Sequence, residues 1–113
     1  MPEPLAVVKG TLDVLVLKAL SHQAMHGFEV TRWLEVRSGK RLELEDAALY
    51  QALYRMEKRG LVRAEWGVTE HNRSARYYQL TPPGRKHLKQ QTAQWLRYAE
   101  IVTEILAYPA QTT

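Results

Sequence analysis

After the start Thr81-Pro82-Pro83-Gly84, the run to Tyr108 contains nothing that would stop a helix, and its length limits every fold the chain can adopt. Thr81 followed by Pro82, Pro83 and Gly84 makes a helix start, with threonine as the N-cap and proline tolerated in the first turn. Pro109 is the next breaker, which predicts about 25 helical residues, or roughly 37 Å of helix. The whole chain has 113 residues, enough for one domain around a modest core and too few for two. Leu88, Thr92, Trp95, Ala99, Val102 and Leu106 follow alternating steps of four and three and form one stripe. Leu96, Ile101, Ile105 and Tyr108 add a second apolar surface beside it. A small domain can cover one such surface with its own core, so the surplus predicts a second copy of the chain. The expectation is a homodimer joined through the helix of residues 82–113, with Leu88, Trp95, Leu96, Val102, Ile105 and Leu106 in the interface. Residues 1–81 form the unit on which that helix packs.

Upstream, the segment LDVLVLKALS after Thr11 is apolar on nearly every side, which places it at the centre of the core. Helix is the favoured reading, although its valines would suit a strand by propensity. SHQAMHG reads as a turn, and Gly27 opens a second helix, FEVTRWLEVRSG, with Phe28, Val30, Trp33, Leu34 and Val36 at roughly helical spacing and Gly39 as its stop. The third helix has the clearest ends: Asp46 as the N-cap, Lys58 and Arg59 in the last turn, and Gly60 just beyond. Leu49, Leu53 and Met56 share one stripe, while Ala47, Gln51, Tyr54, Arg55 and Lys58 share the opposite face.

Val62, Ala64 and Trp66 then alternate with Arg63 and Glu65, as in a half-buried strand. A polar stretch from Gly67 to Ala75 follows, and RYYQL reads as a second strand, so the pair forms a hairpin with a long tip. The tip carries Arg73, Ser74 and Arg76, and Tyr77 and Tyr78 mount it on the core. The fold class is mainly α with a β-hairpin wing: a winged helix-turn-helix plus a long C-terminal helix.

Several function classes find no support in these residues. There is no cysteine, so disulfides and thiolate metal sites are excluded, and a soluble cytoplasmic protein is expected. No apolar run reaches membrane-spanning length, and the N-terminus lacks a signal-peptide pattern. His22, His26, His71 and His87 are scattered, and His22 and His26 straddle a turn, so no metal site is expected. Glu43, Glu45 and Asp46 read as helix-start acids, and no catalytic triad or phosphate loop is present. The expectation is a protein that is not an enzyme and holds no cofactor.

Nucleic-acid binding fits better. The net charge is +4, from 16 Lys plus Arg against 12 acids, a mild excess that matters where the cations cluster. In a winged helix-turn-helix the exposed face of the third helix enters the major groove of double-stranded operator DNA. There Gln51 can read adenine, and Arg55 or Lys58 can reach guanine or phosphate, with Tyr50 and Tyr54 beside them. Arg73, Ser74 and Arg76 on the wing are placed for phosphates or the minor groove. Solvated surface residues are the plain alternative for each of these taken singly.

GTLDVLVLKAL, HGFEV, AALYQALYRMEKRGLV with a following Trp66, RYYQLTPPGRKHL, and Trp95 in the last helix resemble the PadR family of winged-helix transcriptional regulators. The likeness runs from about Gly10 to Leu106. The single C-terminal helix is similar to the short subclass, in which that helix builds the dimer. The resemblance implies a dimeric repressor whose third helix and wing bind operator DNA, often releasing it when a phenolic, drug-like or other small effector binds. It also implies a role for Trp95, because multidrug-sensing members carry a tryptophan at that place and stack flat ligands on it. With Thr92 and Ala99 beside it, Trp95 would line such an aromatic slot, while core or interface packing of the indole stays open as the other reading. Two positions depart from the family pattern: Ala48 stands where a Ser or Thr is usual, and Gln51 where Pro is frequent. The rival function is a ligand-binding or protein-interaction module on the same scaffold, without operator binding.

Overall fold

A computed structural model describes residues 3–111, so the outermost two residues of each expected unit, 1–2 and 112–113, lie outside the described residues. In chain order the elements are β1 (Leu5–Ala6), α1 (Leu12–Leu20), β2 (Met25–His26), α2 (Gly27–Ser38), β3 (Leu42–Glu43), α3 (Asp46–Lys58), β4 (Val62–Val68), β5 (Ser74–Leu80) and α4 (Pro82–Ala107). The central segment is a helix, as its all-round apolarity predicts. Val16, Leu17, Ala19 and Leu20 of α1 are buried against Val30 and Leu34 of α2, the stripe Leu49, Ala52, Leu53 and Met56 of α3, and Val62, Tyr78 and Leu80 of the hairpin.

The helix ends show which local signals were read correctly. His26 is the N-cap of α2, in a reciprocal capping box: its Nδ1 accepts from the Glu29 N–H at 3.3 Å, and the Glu29 carboxylate accepts from the His26 N–H at 3.1 Å. Asp46 is not the cap of α3. Glu45, extended at φ −103°, takes that position, and Asp46 is the first helical residue. Its carboxylate instead accepts from the Thr31 hydroxyl of α2 at 3.5 Å, where the helix dipole still favours a negative charge. At the other end Gly60, at φ +76°, closes a Schellman turn: the Gly60 N–H donates to the Glu57 carbonyl at 3.0 Å and the Leu61 N–H to that of Met56 at 2.9 Å.

Two short pairings escape the sequence reading. The stretch 21–27 is not wholly a turn, because Met25 and His26 pair antiparallel with Tyr78 and Tyr77, giving a three-stranded sheet of order β2-β5-β4. Leu5 and Ala6 pair in parallel with Leu42 and Glu43, so the N-terminal arm clasps the segment that leads into α3.

Helix α4 starts where expected. The Thr81 hydroxyl accepts from the Gly84 N–H at 3.0 Å and donates to the Gly60 carbonyl at 2.6 Å. Gly84 is buried, and a Cβ there would run into the Leu61 carbonyl. The first half of α4 packs on α1 and β5, with Leu88 against the core. The second half projects. The chain measures 66 × 35 × 20 Å with a radius of gyration of 16.7 Å, against about 13 Å for a compact domain of this length.

Candidate nucleic-acid interface

The buried stripe of α3 fixes what its other side presents. Gln51, Tyr54, Arg55 and Lys58 are all exposed along it. Three contacts order this face. The Lys58 ammonium lies 4.6 Å from the centre of the Tyr54 ring, a cation–π contact. The Arg55 guanidinium donates to the Asp13 carboxylate of α1 at 2.8 Å. The half-exposed Tyr50 ring lies over Gly27, at the start of α2, where any Cβ would collide with it.

The wing is longer in its strands and shorter in its tip than the sequence implied. Gly67 and Val68 belong to β4, Ser74 and Ala75 to β5, and Val68 faces Ser74 across the pair. The tip is therefore residues 69–73, held by Thr69. The Thr69 N–H donates to the Arg73 carbonyl at 2.8 Å, the Asn72 N–H donates to the Thr69 carbonyl at 2.9 Å, and the Thr69 hydroxyl accepts from the N–H groups of His71 and Arg73, each at 3.3 Å. Asn72 takes the left-handed conformation at φ 58°, which its short amide side chain tolerates. Arg73 and Ser74 are exposed at this end, and among the described residues the Arg73 guanidinium makes no ion pair.

Arg76 is not at the tip. It sits within β5 opposite Trp66, and its guanidinium donates to the Glu57 carboxylate of α3 at 2.7 Å. That hydrogen bond raises the Arg76 pKa above its ordinary value, against a smaller opposing effect of burial. Arg76 thus bolts the wing to α3 as a permanent cation. The two tyrosines mount the hairpin as expected: Tyr78 is buried in the core, and Tyr77 meets the His26 ring edge-on at 5.2 Å between centroids. Trp66 departs from expectation. It continues the inward-facing row of Val62 and Ala64, but the strand has by then run past the core, leaving the indole 73% exposed.

Residues 16–90 match the Transcriptional regulator PadR-like family. The chain belongs to that family. Among solved structures it is similar to a PadR family transcriptional regulator from Eggerthella lenta, at 28% identity and a TM-score of 0.76 over 89% of this chain and 86% of that one. A PadR family transcription regulator from Clostridium difficile matches at 26% identity and 0.73 over 87% of this chain and all of the other. A Streptococcus mutans protein matches in fold at 23% identity and 0.79, with both chains covered completely.

In this PadR chain the helix expected to dimerise presents much of its apolar surface to solvent: Leu96, Ile101, Ile105, Leu106 and Tyr108 are exposed, and Val102 and Ala99 are half-buried. Trp95 is 40% exposed, and its indole N–H donates to the Thr11 hydroxyl at 3.2 Å, so one edge of the ring is fixed to the N-cap of α1 in its own chain. Thr92 is exposed one turn earlier. Among the described residues no three His, Asp or Glu side chains gather where a metal could be held, and no helix is long and apolar enough to cross a membrane. The family is one of transcriptional regulators, not of enzymes. The sequence reading missed Asp13, Glu57 and Thr69. Thr69, at the end of a strand run and four residues before Arg73, carries the local signal of a hydroxyl-closed turn. Asp13 and Glu57 act across long sequence separations, where no pattern marks them.

Proposed function

We propose that the protein is a homodimeric, sequence-specific DNA-binding repressor that releases its operator when a small aromatic molecule binds. What supports this most is a single juxtaposition: the outward row Gln51, Tyr54, Arg55 and Lys58 of α3 stands beside a wing whose exposed Arg73 and Ser74 are held by a closed turn and whose Arg76 is tied to Glu57. Gln51 is the residue for bidentate contact with adenine, Lys58 and Arg55 for guanine or phosphate, and Tyr50 and Tyr54 for the groove edge. Arg73 and Ser74 meet phosphate or the minor groove, and Arg76 sets the angle of the wing.

The dimer would form through the projecting half of α4, with Trp95, Leu96, Val102, Ile105 and Leu106 along it, while Leu88, expected in the same interface, packs on its own core. Two recognition helices would then address half-sites roughly 34–36 Å apart. Trp95, with Thr92 and Ala99, would line the slot for a flat effector at the two-fold axis. The deciding experiment is an anisotropy titration of the protein against duplex from its own upstream region at several salt concentrations. Tight, salt-dependent and sequence-selective binding supports the reading. Absence of binding at low salt would favour an interaction module that has kept the fold without an operator.

A further inference from the structure

The wing, α2 and Tyr50 of α3 line an open groove of about 1560 Å³. One side is the wing, with Trp66 and Arg73, and the other is α2, with Phe28 and Arg32; Tyr50 of α3 also lines it. The two aromatic walls are unusual. Trp66 is 73% exposed and Phe28 65% exposed. Val68, also largely exposed, continues the Trp66 row toward the tip. Large apolar side chains left bare at one place mark a surface that is covered in use.

Charge narrows what covers it. Among the described residues Arg32 and Arg73, on opposite walls, form no ion pair. The lining acids Glu29 and Glu70 lie beside His26 and His71. A groove with free guanidinium groups above aromatic walls suits a polyanion that also has apolar surface. The sugar–phosphate backbone of DNA is such an object, alternating charged phosphates with deoxyribose rings. The volume exceeds the roughly 300–1,000 Å³ of pockets that enclose drug-sized ligands, and Tyr50 of α3 is part of the lining.

We propose that this groove seats one backbone strand of duplex DNA, with the Trp66 indole packed on deoxyribose and Arg32 and Arg73 on the flanking phosphates. The proposal rests on the DNA-binding reading and adds a salt-independent contact to it. Phosphate contacts release counterions and set the slope of affinity against salt. An indole on a sugar releases none, so its loss lowers affinity equally at all salt concentrations.

Two measurements test this. In a protein whose sole tryptophan is Trp66 (Trp33→Phe, Trp95→Phe), neutral acrylamide should quench fluorescence strongly without DNA and weakly with saturating upstream duplex. In the otherwise native protein, Trp66→Ala should weaken binding about ten-fold with an unchanged salt slope, and Trp66→Phe should restore most of it. Arg32→Ala should lower the slope by about one unit. If the parent binds no duplex, the DNA-binding reading fails and this proposal with it. If the parent binds but Trp66 stays fully quenchable and Trp66→Ala keeps native affinity, the proposal alone fails. Shielding of Trp66 without DNA, by raised protein concentration or by an aromatic acid, would also overturn it in favour of that occupant.

Discussion

Asp13 and Arg55 are 42 residues apart in sequence, yet the Asp13 carboxylate accepts a hydrogen bond from the Arg55 guanidinium at 2.8 Å, tying the first turn of α1 to the exposed side of α3. The pair is partly solvated, with Arg55 more exposed than Asp13, and such pairs contribute about 0.2–1 kcal/mol. DNA phosphates would compete with Asp13 for the same cation. Asp13→Asn should therefore tighten DNA binding by about two- to five-fold and lower folding stability by no more than about 1 kcal/mol. Weaker binding by Asp13→Asn at unchanged melting temperature would show instead that Asp13 aims Arg55 at the DNA.

The wing arginines should behave differently from each other. Arg73→Ala should lower the slope of log affinity against log salt by about 0.9, the signature of one lost phosphate contact. Arg76 is already neutralised by Glu57, so Arg76→Ala should act through wing position. Glu57→Gln should then reproduce its effect, and the double variant should be no worse than either single one. Additive losses would place Arg76 on DNA directly.

Gln51 stands on the exposed face of α3, and its amide can pair bidentately with adenine. Gln51→Ala should cost on the order of 1–3 kcal/mol at one base position and little at others. Binding to a set of single-base operator variants reads this out, and a uniform loss across the set would deny Gln51 a reading role.

The bare half of α4 should be the dimer seam. Ile101→Glu with Ile105→Glu places charge on residues 45% and 67% exposed in the single chain, so the fold should survive while sedimentation shifts from dimer to monomer and operator affinity collapses. A monomeric parent at micromolar concentration would remove the basis for this.

Trp95 should respond to flat aromatic ligands. Tryptophan fluorescence titrated with planar aromatic cations and phenolic acids should change in the native protein and not in Trp95→Ala. Operator affinity should fall by the same factor as effector affinity falls on operator. A response that survives in Trp95→Ala puts the ligand elsewhere.

The fold was legible where the signal is local. Leu49, Leu53 and Met56 at helical spacing, Gly60 after a basic last turn, and Thr81 before two prolines each specify an element within a few residues. What escaped detection lacks that property. Two-residue strands such as Met25–His26 carry no periodicity to count. The bond from Trp95 to Thr11 spans 84 residues. Exposed Phe28 and Trp66 defeat the rule that large apolar residues are inside, because the hairpin and the α2 start extend beyond the core that the rule assumes. At the candidate interface the sequence revealed which faces carry polar and basic groups, while the partners holding Arg55 and Arg76 became visible only once the chain was folded.

The clasp at Thr81 turns α4 into a lever arm. Its hydroxyl bridges the Gly60 carbonyl and the Gly84 N–H, and Leu61 leaves no room for a side chain at 84, so the end of α3 and the start of α4 are joined closely. In the proposed dimer the gap between recognition helices is then governed by how the two α4 helices cross. Over the roughly 20 Å of helix between an axis at Trp95 and the joint at Thr81, a rotation of about 10° displaces the joint by roughly 3 Å, close to the ~3.4 Å rise of one base-pair step. A ligand wedged at Trp95 would need only that small change of angle to put the pair out of phase with its half-sites, and Gly84→Ala, by springing the joint, should make the protein tolerant of half-site spacings that the native chain rejects.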